Sequence, residues 1–123
     1  MADTEASYAD QTDTITATIA NGASLSDELD LGNHRIVTIF MPAAWTAANL
    51  TFQVAAVTGG TFQDLYDDVG TEVVVTAAVS RAIGVDLVAG ALASPRFIKI
   101  RSGTTGTPVN QGAARSIVLI LKR

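Results

Sequence analysis

Between Thr14 and Ala20 the chain runs Thr-Ile-Thr-Ala-Thr-Ile-Ala, one residue polar and the next apolar. That two-residue period belongs to a strand with one face buried: Ile15, Ala17 and Ile19 lie on one side and three threonines on the other. Asn21-Gly22 follows, a dipeptide whose residues tolerate positive φ and therefore turn the chain. The pattern repeats along the sequence. A second strand is expected over 24–31, closed by Gly32-Asn33, and further strands over 34–41, 49–57, 61–66, 71–77, 80–86, 96–102 and 115–121. Turn residues separate them at Gly59-Gly60, at Asp67-Asp68-Val69-Gly70 and through the loop from Ser102 to Ala114. Helical periodicity is almost absent; at most one helical turn is expected near 86–94, where Gly90 weakens it. About nine short, regularly spaced strands predict an all-β chain built as an antiparallel sandwich or barrel. A chain of 123 residues has the length of one domain. We expect that domain over 13–123, preceded by an acidic, polar N-terminal arm over 1–12 that either frays or reaches a neighbour.

Three of these strands do not alternate. Arg35–Met41, Glu72–Ala77 and Ser116–Leu121 are apolar on both faces. A sandwich normally presents its outer faces to water, so strands apolar on both sides imply a cover, either from the same chain or from another subunit. Apolar residues make up 48% of the chain and charged residues 16%, a balance far from that of a disordered protein. The composition reads as a component of an assembly.

The chain offers little to chemistry. Cysteine is absent, so disulfides and thiolate metal sites are excluded, which fits manufacture in a reducing cytoplasm. The single histidine, His34, has no Gly-x-Ser-x-Gly elbow to serve and no thiols or further histidines with which to hold zinc. Asp64, Asp67, Asp68 and Glu72 crowd one short stretch. Such spacing suits either a hairpin turn, with Asp bonding its own backbone and glycine supplying positive φ, or oxygen ligands to calcium, although no Asp-x-Asp-x-Asp-Gly loop is present. The glycines at 59, 60, 103 and 106 lack the strand, helix and lysine of a phosphate loop and are expected in turns. A net charge of −4 with only eight basic residues argues against nucleic acid. The densest basic group, Arg96, Lys99 and Arg101, is expected to line one strand with its charged heads in water. The longest apolar window, Val79 to Ala93, is interrupted by Arg81 and Asp86 and falls short of the ~20 residues of a membrane span. No signal peptide is expected from the acidic, polar stretch at residues 1–12. No enzyme, metal or cofactor is therefore expected.

The only tryptophan, Trp45, sits in Met41-Pro-Ala-Ala-Trp-Thr46, just after a proline that ends a strand. Its ring is expected either to plug the end of the sandwich or to stand exposed and stack on a sugar or a partner. This segment, the Leu50–Gln53 strand, the Phe62–Asp68 hairpin and the late Arg96–Thr104 strand followed by Val109-Asn110-Gln111 together resemble a family of small structural proteins of tailed phages, prophages and gene transfer agents. The resemblance covers roughly residues 21–123. The same layout is similar to a degenerate galactose-binding-like jelly roll, but Thr58-Gly59-Gly60 replaces the Ser-x-Asp-Gly of the sugar-binding relatives. The resemblance implies a jelly-roll-like sandwich on the virion, made in the host cytoplasm: a capsid decoration protein or the base of a head spike. Its implied partners are the major capsid protein or other virion proteins, in a symmetric homo-oligomer, with a trimer expected. A neck or tail position is the variant reading. A carbohydrate-binding adhesion module is the alternative, with Trp45, Phe62 and Tyr66 as candidate contacts to a glycan or partner.

Overall fold

The computed structural model describes residues 12–85 and 90–123. Eight strands form two four-stranded antiparallel sheets packed face to face: β1 (Thr12–Ile19), β2 (Leu29–Asp30), β3 (Arg35–Phe40), β4 (Leu50–Ala55), β5 (Gln63–Asp64), β6 (Ala82–Gly84), β7 (Phe97–Ser102) and β8 (Arg115–Lys122). One sheet, which we call sheet I, has the order β1-β8-β3-β6; sheet II has the order β2-β7-β4-β5. The pairs β1–β8, β2–β7, β3–β6 and β4–β5 are those of one long hairpin folded at its middle, and the β3–β8 and β4–β7 ladders roll that hairpin into two layers. This is jelly-roll connectivity.

The alternation seen in the sequence decides which side chains meet between the layers. Ala17 and Ile19 of β1, Ile117, Leu119 and Leu121 of β8, and Ile36 and Ile39 of β3 point inward from sheet I. They face Leu29, Leu50, Phe52, Ile98 and Ile100 from sheet II. Ile36 and Ile39 are three residues apart, an odd spacing that a regular strand cannot turn to one face. A bulge between Ile36 and Thr38 absorbs the extra residue and lets both isoleucines enter the core.

The structure corrects several expected boundaries. Residues 71–77 do not form a ladder strand; their β-bridges are the isolated pairs Leu50–Val75 and Tyr66–Glu72. The segment is held by its side chains instead, with Val73 and Val75 packed on the core and Val74 turned outward. The expected strand over 24–31 shortens to Leu29–Asp30, preceded by bridges at Leu25 and Ser26. Of the helical turn expected over 86–94, a 3-10 turn spans Ala91–Ala93, and residues 86–89 lie outside the described part. The expected arm over 1–12 also lies outside it, except for Thr12, which opens β1 opposite Lys122.

Candidate functional site

The two outer faces of the sandwich carry the molecule's distinguishing features. On sheet II, strand parity turns Thr51 and Gln53 of β4 outward beside Arg101 and Lys99 of β7, with Asp64 of β5 in the next lane. Arg101 is not in water, contrary to the expectation for the basic group: it is only 6% exposed. The hairpin connecting β5 to residue 72 and the loop after β7 fold over it. The Arg101 Nε–H donates to the Thr51 hydroxyl at 3.0 Å, one terminal nitrogen donates to Asp64 at 2.8 Å, and the other donates to Glu72 at 3.2 Å and Thr105 at 2.7 Å. Glu72 also accepts the backbone N–H of Thr105 at 3.0 Å. The guanidinium fork thus ties β4, β5, the hairpin and the 103–107 loop together, using the planar donor geometry that lysine lacks. Hydrogen bonding from Arg101 holds the Asp64 carboxyl below its ordinary range.

The crowded carboxylates therefore divide their work. Asp67 accepts the backbone N–H groups of Val69 and Thr71 at 3.0 and 2.9 Å, while Gly70 takes a positive φ of 86°, which is a hairpin connection. Asp64 and Glu72 turn to Arg101. Among the described residues no group of three or more His, Asp or Glu side chains is placed to hold a metal ion. The other two basic residues of the group remain nearer the surface. Arg96 pairs with Asp30 at 2.9 Å and lies over the Phe97 ring, and the Lys99 ammonium stands 4.5 Å from the centroid of Phe62.

The structure does not bring the three candidate aromatics together. Trp45 is 8% exposed and belongs to the core, with its Nε1–H donating to the Ala48 carbonyl at 3.0 Å. Buried Gln111 fastens the next residue to the far end of the chain: it accepts the Thr46 N–H at 2.8 Å and donates to the Thr46 carbonyl at 3.0 Å and to Ser102 at 2.7 Å. Phe62 is half-buried beneath Lys99. Tyr66, 48% exposed, borders an open cleft of about 760 Å³ whose walls include Val54, Val57, Leu65 and Pro95, with Thr61, Gln63 and Ser94 as neutral polar groups. Sequence reasoning missed Gln111 and Arg101 as anchors. Their only signal was the recurrence of Val-Asn-Gln and of the Arg-Phe-Ile-Lys-Ile-Arg strand in the resemblance, which carries no burial information.

Sheet I presents an outer face of another kind. Thr14, Ile120, Thr38 and Gly84 form one row across its four strands, and Thr16, Val118, Phe40 and Ala82 form the next. Neither row contains a charge, and Phe40 at its centre is 43% exposed. The chain matches no protein family, no curated protein and no solved structure.

Proposed function

We propose that this chain is a non-enzymatic structural protein of a tailed-phage-type particle, seated on the assembled head as a decorating protein or as the base of a spike. The observation that carries the reading is the uncharged middle of sheet I's outer face, two rows centred on Phe40, Val118 and Ile120. A solvent-washed sheet face ordinarily carries charged side chains at such positions, and a neutral apolar patch marks a surface that another protein covers. The resemblance in the Met41–Thr46, Leu50–Gln53, Phe62–Asp68 and Arg96–Thr104 segments supplies the kind of assembly. Its mechanism is mass action: a protein that binds only the assembled shell stabilises that shell by its binding free energy. Quantitative mass spectrometry of purified particles from the producing strain tests it. A copy number on the order of the shell symmetry assigns decoration, a few copies per particle assign a spike, neck or tail, and complete absence refutes the proposal.

The cleft beside Tyr66 favours one second reading, a carbohydrate-binding module. A half-exposed aromatic ring next to neutral hydrogen-bonding side chains suits the apolar face and hydroxyls of a sugar. Under that reading Tyr66→Ala abolishes binding on a glycan array with an unchanged melting temperature; unaltered array binding rejects Tyr66 as the platform.

A further inference from the structure

Of the four asparagines, only Asn21, in the turn that closes β1, is followed by glycine; Asn33, Asn49 and Asn110 precede His34, Leu50 and Gln111. An asparagine before glycine carries its own reaction. The backbone nitrogen of the next residue, once it has lost its proton, attacks the side-chain amide carbon; ammonia leaves and a cyclic imide forms. Water then opens the imide at one carbonyl or the other, giving aspartate or isoaspartate, so the balance is water in and ammonia out. Glycine permits this best, because no Cβ crowds the attacking nitrogen. Asn21 is exposed, so water and base reach it.

The fold opposes both the approach and the loss of the proton. The Ala23 N–H donates to the Ala20 carbonyl at 3.0 Å, Gly22 has a φ of 79°, and Asn21 is not among the positive-φ residues. These are the marks of a type II turn, which sets ψ of its second residue at about +120°. Ring closure needs ψ of an L-residue at about −120°, where the Cβ eclipses the following nitrogen. The turn must therefore rotate through about 120° before the amide carbon meets the nitrogen. The proton is held as well: Gly22 N–H donates to the Gln111 carbonyl at 2.8 Å, and Gln111 N–H donates in return to the Ala23 carbonyl at 2.9 Å. Gln111 is buried, and its side chain is fixed to Thr46 and Ser102. We propose that Asn21 is a site of spontaneous conversion to aspartate and isoaspartate, suppressed by the closed 20–23 turn and its bonds to Gln111. The modification then records opening of this end of the sandwich. Isoaspartate adds a methylene to the main chain between residues 21 and 22, so a converted turn cannot make both bonds to Gln111 in register. The inference rests on bonds within one chain and is independent of the virion reading.

The experiment is a timed incubation of the full-length chain at mildly alkaline pH, folded in buffer and unfolded in guanidinium chloride. Peptide mass spectrometry with separation of the isomers follows all four asparagines. In the unfolded chain Asn21 is expected to convert at least ~10-fold faster than Asn33, Asn49 or Asn110, since it alone precedes glycine. In the folded chain its rate is expected to fall at least ~10-fold, to the rate that local opening allows. Gln111→Ala withdraws the side-chain anchor and is expected to raise the folded-state rate at least ~3-fold, with a melting temperature to check that it folds. Converted chain, returned to buffer, is expected to refold with a lower melting temperature than unconverted chain. Folded and unfolded rates at Asn21 within ~2-fold of each other refute the proposal. So does faster conversion of any other asparagine in the unfolded chain. A folded Gln111→Ala that reacts no faster than the wild type refutes the restraint by residue 111. Should that variant not fold, the comparison of folded and unfolded wild type decides by itself.

Discussion

The outer faces of the two sheets solve the same problem in opposite ways. Sheet II covers part of its outer face with its own loops: the β5 hairpin and the 103–107 loop bury Arg101, whose fork bonds Thr51, Asp64, Glu72 and Thr105. The middle of sheet I's outer face is uncharged and part-exposed, with Phe40 43% exposed and Val118 and Ile120 half-buried beside threonines. A face that is polar and internally satisfied contributes to folding, whereas a face that is apolar and uncovered contributes little until something docks on it. Under the proposed function, stability and association are separated onto different layers of one small sandwich.

The largest expected break in that comparison is Arg101→Met. It removes the cation and leaves Asp64 and Glu72 side by side under the loops. Losing one member of a fully buried ion pair costs about 3–5 kcal/mol; both carboxylates here keep some contact with water, so about 2–3 kcal/mol is expected, a fall in Tm on the order of 10 °C. Arg101→Lys restores little of this, because an ammonium cannot bridge four partners in one plane. A loss below about 0.5 kcal/mol in urea unfolding would show that the sheet II cover contributes nothing to stability.

Acid provides a smaller test of the same cover. Asp64 is held below its ordinary range first by its hydrogen bond from Arg101, and Asp30 and Glu28 are lowered by their bonds from Arg96 and Thr58 respectively. A carboxyl with a depressed folded-state pKa stabilises the fold above its unfolded pKa and loses that contribution as pH falls through the folded value. Stability is therefore expected to stay level from pH 7 to about 5 and to fall below about pH 4. In Arg101→Met the share due to Asp64 disappears, so the acid limb becomes shallower than in the wild type. Equal acid slopes in the two proteins would remove Arg101 as the cause.

The smallest effect belongs to sheet I. Val118→Thr keeps a β-branched side chain at a half-covered outer position and is expected to change stability by less than about 0.5 kcal/mol. A loss above about 1.5 kcal/mol would mean that this face is already packed within the single chain, and the contrast with sheet II would collapse.

Much of the architecture was legible before any coordinates. The Thr14–Ala20 alternation selects the buried face of β1 without reference to any partner, because side chains along a strand point to opposite sides in turn. The Asp67–Gly70 turn was equally readable, since its chemistry is local: an aspartate bonding nearby backbone and a glycine at positive φ. The segment over 71–77 misled for the same physical reason. Its valines suit a strand, but whether backbone groups find ladder partners depends on neighbours distant in sequence, and here only isolated bridges form.

What the sequence by itself determined is the local grammar: strand period, turn positions, the absence of cysteine, and the sparse chemistry that directs attention to surfaces. Tertiary structure alone decided which outward-pointing residues meet water. Arg101 and Phe40 both stand on outer faces of their strands, yet one is sealed beneath loops and the other is exposed. Parity along a strand follows from covalent geometry and is written residue by residue. Cover is supplied by chain that is remote in sequence, so it appears only when β1 has met β8 and the long hairpin has rolled into two layers.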